Sequence, residues 1–265
     1  MKRQLVSLLA LMSGFVLMQP TAARLLRTGP SPLENWNPLV ALTIGSSVEY
    51  ERAGGQAQLE FPFFVEYNFT PALKATIEPS VVRLGLEKGN GPDVTGLGDL
   101  ETALDYEFLP ERRYQPALIA EAIVRWPSAT NSDLGEPGRD YAIGLIASKD
   151  LVFVDLDLRL LYTFLADRKR QNNFEISLAG QWHLNYLVDL EAEIAHSFGG
   201  GGTSSETLLP SSGGAIDLTG ANLTEGTVGL AWHVSKRLKL EHGAIFASDG
   251  SWRAVLAWEF SFGGD

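Results

Sequence analysis

The sequence predicts an all-β fold, a 12-stranded antiparallel up-and-down transmembrane β-barrel. Three observations predict it. Apolar residues recur with period two rather than 3.6. Most of the alternating runs have about 11 to 14 residues, longer than the five or six usual in soluble sheets and enough for the roughly 9 to 11 that cross a bilayer when tilted. Aromatic residues on the apolar face gather at both strand ends, as they do where amphipathic rings settle at membrane interfaces.

The chain has 265 residues, 45% hydrophobic and 20% charged, which is too apolar for ordinary disorder. It has no cysteine, so disulfides, thiolate metal sites and cysteine nucleophiles are excluded. Residues 1–23 read as a cleaved signal peptide: Lys2 and Arg3 are basic, 5–18 are mostly apolar, and Thr21, Ala22 and Ala23 are small. That apolar stretch is too short to span a bilayer as a helix, and no later one approaches 18 residues, so any crossing uses strands. The net charge is -11, and the excess of acid grows once Lys2 and Arg3 are removed. Such a surface repels phosphate backbones, which excludes nucleic acid as a partner.

Residues 24–38, with Pro30, Pro32, Asn35 and Asn37, read as a periplasmic lead-in or a segment tucked into the lumen. The barrel then occupies 39–262, with strands predicted at 39–51, 56–69, 72–85, 98–108, 116–126, 140–148, 151–164, 173–184, 187–198, 223–234, 237–247 and 251–262. In the second strand Leu59, Phe61, Phe63, Val65, Tyr67 and Phe69 oppose Gln58, Glu60, Glu66 and Asn68. In the seventh, Val152, Val154, Leu156, Leu158, Leu160, Tyr162 and Phe164 oppose Asp155, Asp157 and Arg159. In the eighth, Phe174, Ile176, Leu178, Gly180, Trp182 and Leu184 oppose Asn173, Glu175, Ser177, Gln181 and His183. A helix would scatter those charges around its circumference.

Tight turns are expected near Thr70-Pro71, 110–114, Lys149-Asp150, Asn185-Tyr186 and Ser235-Lys236. Most alternate connections are longer and rich in Gly, Pro, Ser, Asn and Asp, including 87–95, 127–139 and 199–222. Short turns on one side and longer loops on the other fit outer-membrane barrels. The last strand alternates Trp252, Ala254, Leu256, Trp258, Phe260 and Phe262, a pattern suited to the barrel-assembly machinery, and 263–265 extend beyond it.

Alternation alone does not say which face meets lipid. The aromatic positions do: Tyr50, Trp126, Tyr141, Tyr162, Phe174, Phe198, Phe246 and Trp252 fall near one rim. Tyr67, Phe69, Tyr106, Phe108, Trp182, Trp232, Trp258, Phe260 and Phe262 fall near the other. Among them Trp126, Tyr162, Trp182, Trp232, Trp252 and Trp258 are the expected membrane-interface residues, contacting outer-membrane lipid and lipopolysaccharide. Strands in hydrocarbon must close on themselves, because each unpaired backbone group there costs several kcal/mol.

Closure turns the polar face inward. The expected lumen-lining residues are Glu101, Asp105, Arg125, Asp155, Asp157, Arg159, Glu175, Glu191, Glu193, Lys239 and Arg253, accompanied by Glu60, Glu66, Lys74, Glu78, Asp189, Glu225, Glu241 and Glu259. The acidic surplus favours cations and polar neutral solutes over anions. Two arrangements stay open: an acid-lined passage, or charges cross-linked into a packed plug.

Thr95-Gly96-Leu97-Gly98-Asp99 with Leu100-Glu101-Thr102 and 106–109, then Val124-Arg125-Trp126-Pro127-Ser128, then Gly138-Arg139-Asp140-Tyr141 and Ala147-Ser148-Lys149, resembles the outer-membrane family labelled MetA-pathway of phenol degradation. The resemblance extends over about residues 40–262 and is sharpest in 95–149; Ser128-Ala129 stand where that family usually has Thr-Gly. It implies a transporter barrel linked to aromatic compounds and supplies no catalytic residues. The glycines at 96 and 98 are no nucleotide loop, since a third glycine and a following helix are missing.

Catalysis finds little support. His196-Ser197 is the nearest local hydrolase pair, but adjacent strand residues point to opposite faces. His183 and His233 share the lumenal face at distant positions, and His242 falls on the lipid face unless a bulge beside Gly243 turns it away. The sequence therefore predicts no enzyme, no cofactor and no metal. It predicts an outer-membrane pore in a Gram-negative cell, passing small solutes whose identity it does not specify. The alternatives are a closed structural or adhesion barrel using 199–222, and an outer-membrane hydrolase.

Overall fold

The computed structural model describes residues 40–53, 56–84, 94–131, 134–135, 138–166, 172–199 and 222–263. The leader, the lead-in, most of the 199–222 connection and the last two residues lie outside them.

Fourteen strands form one antiparallel sheet: β1 (Val40–Ala53), β2 (Gln56–Thr70), β3 (Leu73–Glu78), β4 (Ser80–Leu84), β5 (Val94–Leu97), β6 (Leu100–Leu109), β7 (Ala117–Trp126), β8 (Asp140–Asp150), β9 (Val154–Phe164), β10 (Asn173–Asn185), β11 (Val188–Gly199), β12 (Leu223–His233), β13 (Leu238–Ala247) and β14 (Trp252–Gly263). From β6 to β14 consecutive strands pair, β2 pairs with β1, β3 and β4, β3 also pairs with β6 and β4 with β5, and β1 pairs with β14 from Leu42↔Phe262 to Arg52↔Trp252. The sheet closes through this last pairing; among the described residues β5 has a strand partner only in β4, and Thr130 meets the Leu97 N–H and carbonyl.

The fourteen strands make twelve staves. The predicted strand 72–85 is divided into β3 and β4 at Pro79, which has no N–H for the ladder. Its carbonyl still accepts from the Phe63 N–H at 2.9 Å, so β2 continues past the interruption. The predicted strand 98–108 starts earlier, as β5, and is interrupted at Gly98-Asp99 before β6. A further correction concerns 151–164: the strand starts at Val154, and 151–153 form the turn in place of Lys149-Asp150. Val152 thus leaves the apolar row and takes φ +74°, a left-handed conformation costly for a β-branched residue.

The inside and outside follow the predicted parity. Leu158 and Ile176 point outward with 39% and 37% exposure, while Asp155 and Glu191 are buried at 2% and 1%. Tyr67, Tyr106, Phe108, Tyr162, Trp182, Trp232 and Trp252 also stand exposed on the outer face. Phe174 stacks on Phe198 across β10 and β11, and Tyr162 meets Phe164 edge to face. Polar side chains share the interior with smaller apolar groups, notably Ile123, Ala142 and Leu161 packed with Ala103 and Leu165. Charge and packing therefore occupy the same enclosed volume.

Candidate functional site

The inward rows converge on the barrel interior, and β7, β8 and β9 illustrate how. Their inward positions include Ile119, Glu121 and Ile123 on β7, Ala142, Gly144 and Ile146 on β8, and Asp157, Arg159 and Leu161 on β9. Arg159 Nε donates to Glu121 Oε2 and Nη2 to Oε1, both at 2.9 Å. This two-pronged bridge passes over β8, where Gly144 pairs with Glu121 on one side and Leu161 on the other. A Cβ at 144 would stand 2.7 Å from Glu121 Oε2 and 2.9 Å from Leu161 Cδ1. The missing side chain leaves the bridge its room.

The other predicted basic residues are also paired. Lys74 Nζ lies 3.1 Å from Asp105 and 3.6 Å from Glu66; Arg125 lies 3.6 Å from Glu101. Lys239 lies 2.5 Å from Glu241 and 3.8 Å from Glu191. Arg253 reaches Glu49 and Glu51, each at 3.4 Å. Glu49, Glu51 and Glu121 were not among the predicted lumenal residues. Parity with Arg125 was the available signal for Glu121, but apolar residues on both faces of β7 weaken the alternation there.

Of the remaining predicted lumenal residues, Glu60 is buried on β2 and Glu78 ends β3, and the others lie on one arc. Asp155, Asp157, Glu175, Glu193, Glu225 and Glu259 are buried on β9 to β12 and β14. Ser197 Oγ donates to Glu175 Oε2 at 3.3 Å. At the turn end of that arc, Asp189 gathers groups distant in sequence. Gln181 Nε2 donates to its Oδ2 at 2.8 Å, His183 Nδ1 is 3.0 Å from Oδ1, and His233 Nε2 is 2.6 Å from Oδ2. Asp155 approaches His183 Nε2 at 3.4 Å. These histidines help line a cavity of about 570 Å³ with Tyr186, Leu187 and Lys236. Among the described residues no group of three or more His, Asp or Glu side chains has a geometry suited to a metal ion.

The outward predictions divide similarly. Trp126 Nε1 donates to Thr102 Oγ1 at 3.0 Å, and the Arg139 guanidinium lies 4.3 Å over its ring. His196 points outward, with Nδ1 2.7 Å from Thr224 Oγ1, while Ser197 is buried inside. The two do not converge on one substrate. His242 remains on the outer face: the register through Gly243 is continuous, without the suggested bulge. Its ring instead stacks on Trp232 at 6.4 Å and 22°.

These features define a closed antiparallel β-barrel with an acid-rich interior. No protein-family model matches the chain, and no curated protein matches it. Solved structures do. An outer membrane channel from Pseudomonas putida F1 is similar with a TM-score of 0.64 at 15% identity, over 85% of this chain and 96% of that one. The NanC porin gives 0.59 at 11% identity, over 83% and 100%. The KdgM porin, in complex with disordered oligogalacturonate, gives 0.56 at 11% identity, over 82% and 99%. At these identities the likeness establishes the closed-barrel fold.

Proposed function

We propose that the protein is an outer-membrane pore of a Gram-negative cell that passes small solutes through a narrow, cation-favouring interior. The observation that carries this reading is the inside-out distribution: exposed aliphatic and aromatic side chains encircle a closed ring whose buried positions are rich in carboxylates. An apolar belt of that extent suits hydrocarbon, and the closed ladder satisfies the backbone there. The paired bases leave an excess of acid inside, so the field attracts cations and disfavours anions. The resemblance to the phenol-degradation family supports aromatic compounds among the solutes. The lipid-facing rings, contact with lipopolysaccharide and insertion by the barrel-assembly machinery belong to this same proposal.

Burial makes the passage narrow, because wide water-filled lumens leave their lining exposed. Purified protein in planar bilayers should give small conductance steps with a reversal potential favouring cations. A persistently silent membrane would reject the pore. The same burial favours a second reading, a closed structural barrel whose interior is cross-linked by Arg159–Glu121 and Lys239–Glu241. That barrel would fold and insert normally but leave solute entry unchanged when compared between a deletion strain and its parent.

A further inference from the structure

Asp99 and Gly96 face the lumen near the loop end. Glu60 pairs with Val82, and Val82 with Gly96, placing Gly96 in the inward row of Glu60. A Cβ at Gly96 would meet Thr130 Oγ1 at 2.2 Å and Leu134 Cδ1 at 2.9 Å. Those two residues therefore lie on the lumenal side of the wall. Leu134 is buried, while Thr130 is exposed at the mouth.

Five polar contacts fix this arrangement. Asp99 Oδ1 accepts from the Ser128 and Ala129 N–H groups, both at 3.0 Å. The Thr130 N–H donates to the Leu97 carbonyl at 2.9 Å, and Thr130 Oγ1 accepts from the Leu97 N–H at 2.9 Å. Ser128 Oγ accepts from the Leu100 N–H at 2.8 Å. Gly135 also returns to Asp99: a Cβ there would lie 2.6 Å from Oδ1. The buried Asp99 carboxylate thus holds backbone amides instead of presenting its full charge to a passing solute.

We propose that residues 128–130 and 134–135 form a fixed constriction inside the loop-end mouth, latched by Asp99, which limits the size of solute entering the barrel. This inference rests on the pore reading. The segment narrows the mouth sterically, with Thr130 offering a hydroxyl-bearing surface and Leu134 an apolar support. Small neutral or cationic solutes pass, whereas bulkier ones of the same charge stop at the mouth.

The chain has no cysteine, which permits a reversible test. The distance from a Cβ at Gly96 to Thr130 Cβ is 3.6 Å, within the range of a disulfide. Gly96→Cys with Thr130→Cys should therefore cross-link on oxidation, detected by mobility on a non-reducing gel. Asp99→Ala should raise single-channel conductance about twofold and admit larger polyethylene glycols from the loop side. Adding the oxidised cysteine pair to Asp99→Ala should restore the parental exclusion size, and reduction should release it again. Failure to cross-link, or unchanged exclusion in a folded Asp99→Ala barrel, overturns the constriction. If the parent conducts, that failure leaves the pore reading intact. Silence of both parent and Asp99→Ala overturns the pore and the constriction together.

Discussion

The wall formed by β7 and β8 and the arc running from β9 through β13 use the same pleat for different chemistry. Midway along β7 and β8 the inward row is Ile119, Ile123, Ala142, Gly144 and Ile146, with the Glu121 charge matched by Arg159, while Arg125, Asp140 and Ser148 stand at the ends. Along the arc, carboxylates recur at Asp155, Asp157, Glu175, Glu191, Glu193, Glu225 and Glu241, with Lys239 among them. The first wall resembles the core of an ordinary sheet, where volume determines stability. The second concentrates field. Period two determines which residues enter the barrel, but residue type determines whether a wall supports packing or potential.

The largest expected effect follows from removing the charge shared by both walls. Arg159→Met should leave Glu121 as an uncompensated buried charge and lower stability by about 3–5 kcal/mol. Combining it with Glu121→Leu should recover most of that loss, because a packed apolar pair needs no ionic partner. Equilibrium unfolding in detergent, together with the heat-dependent gel mobility of the barrel, measures both. An unrecovered double variant would break the view that β7 and β8 behave as a packing wall.

Gly144→Ala probes the same wall more gently. Its Cβ would crowd Glu121 Oε2 and Leu161 Cδ1, so about 1–3 kcal/mol should be lost through displacement of the bridge and overpacking. The matching test on the acidic arc is Glu175→Gln with Glu193→Gln. Reversal potentials in a salt gradient should show the cation-to-anion permeability ratio falling about tenfold, equivalent to about 1.4 kcal/mol. Ile146→Val on the opposite wall should leave that ratio unchanged. Equal shifts in the two variants would erase the proposed division of labour.

The sequence makes the alternation in β2, β9 and β10 readable because each strand has polar and apolar residues in separate rows. It also reveals the inward direction, through charges such as Asp155 and aromatics such as Tyr162 that share a strand. It does not reveal closure contacts that depend on register. Gln181, His183 and His233 meet at Asp189 only after β10, β11 and β12 align. Asp99 reaches amides 29 and 30 residues away, joining two stretches that sequence resemblance treats separately. Glu121 was hidden by the apolar composition around it. The division at Pro79 was visible chemically, but its placement depends on β2 supplying an N–H to the proline carbonyl.

The smallest test lies where the two walls join, in the turn from β8 to β9. Val152 has φ +74° and 76% exposure; its N–H donates to Asp150 Oδ1 at 2.6 Å, while the Leu151 N–H reaches the Val154 carbonyl at 3.0 Å. A valine in the left-handed region costs about 1–2 kcal/mol relative to a right-handed conformation, and glycine removes the Cβ clash. Glycine also adds freedom to the unfolded chain, which offsets part of the gain. Val152→Gly should consequently raise stability by about 1 kcal/mol, with no change in permeability ratio, as measured by the same unfolding and reversal-potential experiments. A loss of stability would show that the exposed valine contributes more through its surroundings than it costs in backbone strain. A changed permeability ratio would show instead that this turn couples the packing wall to the acidic arc.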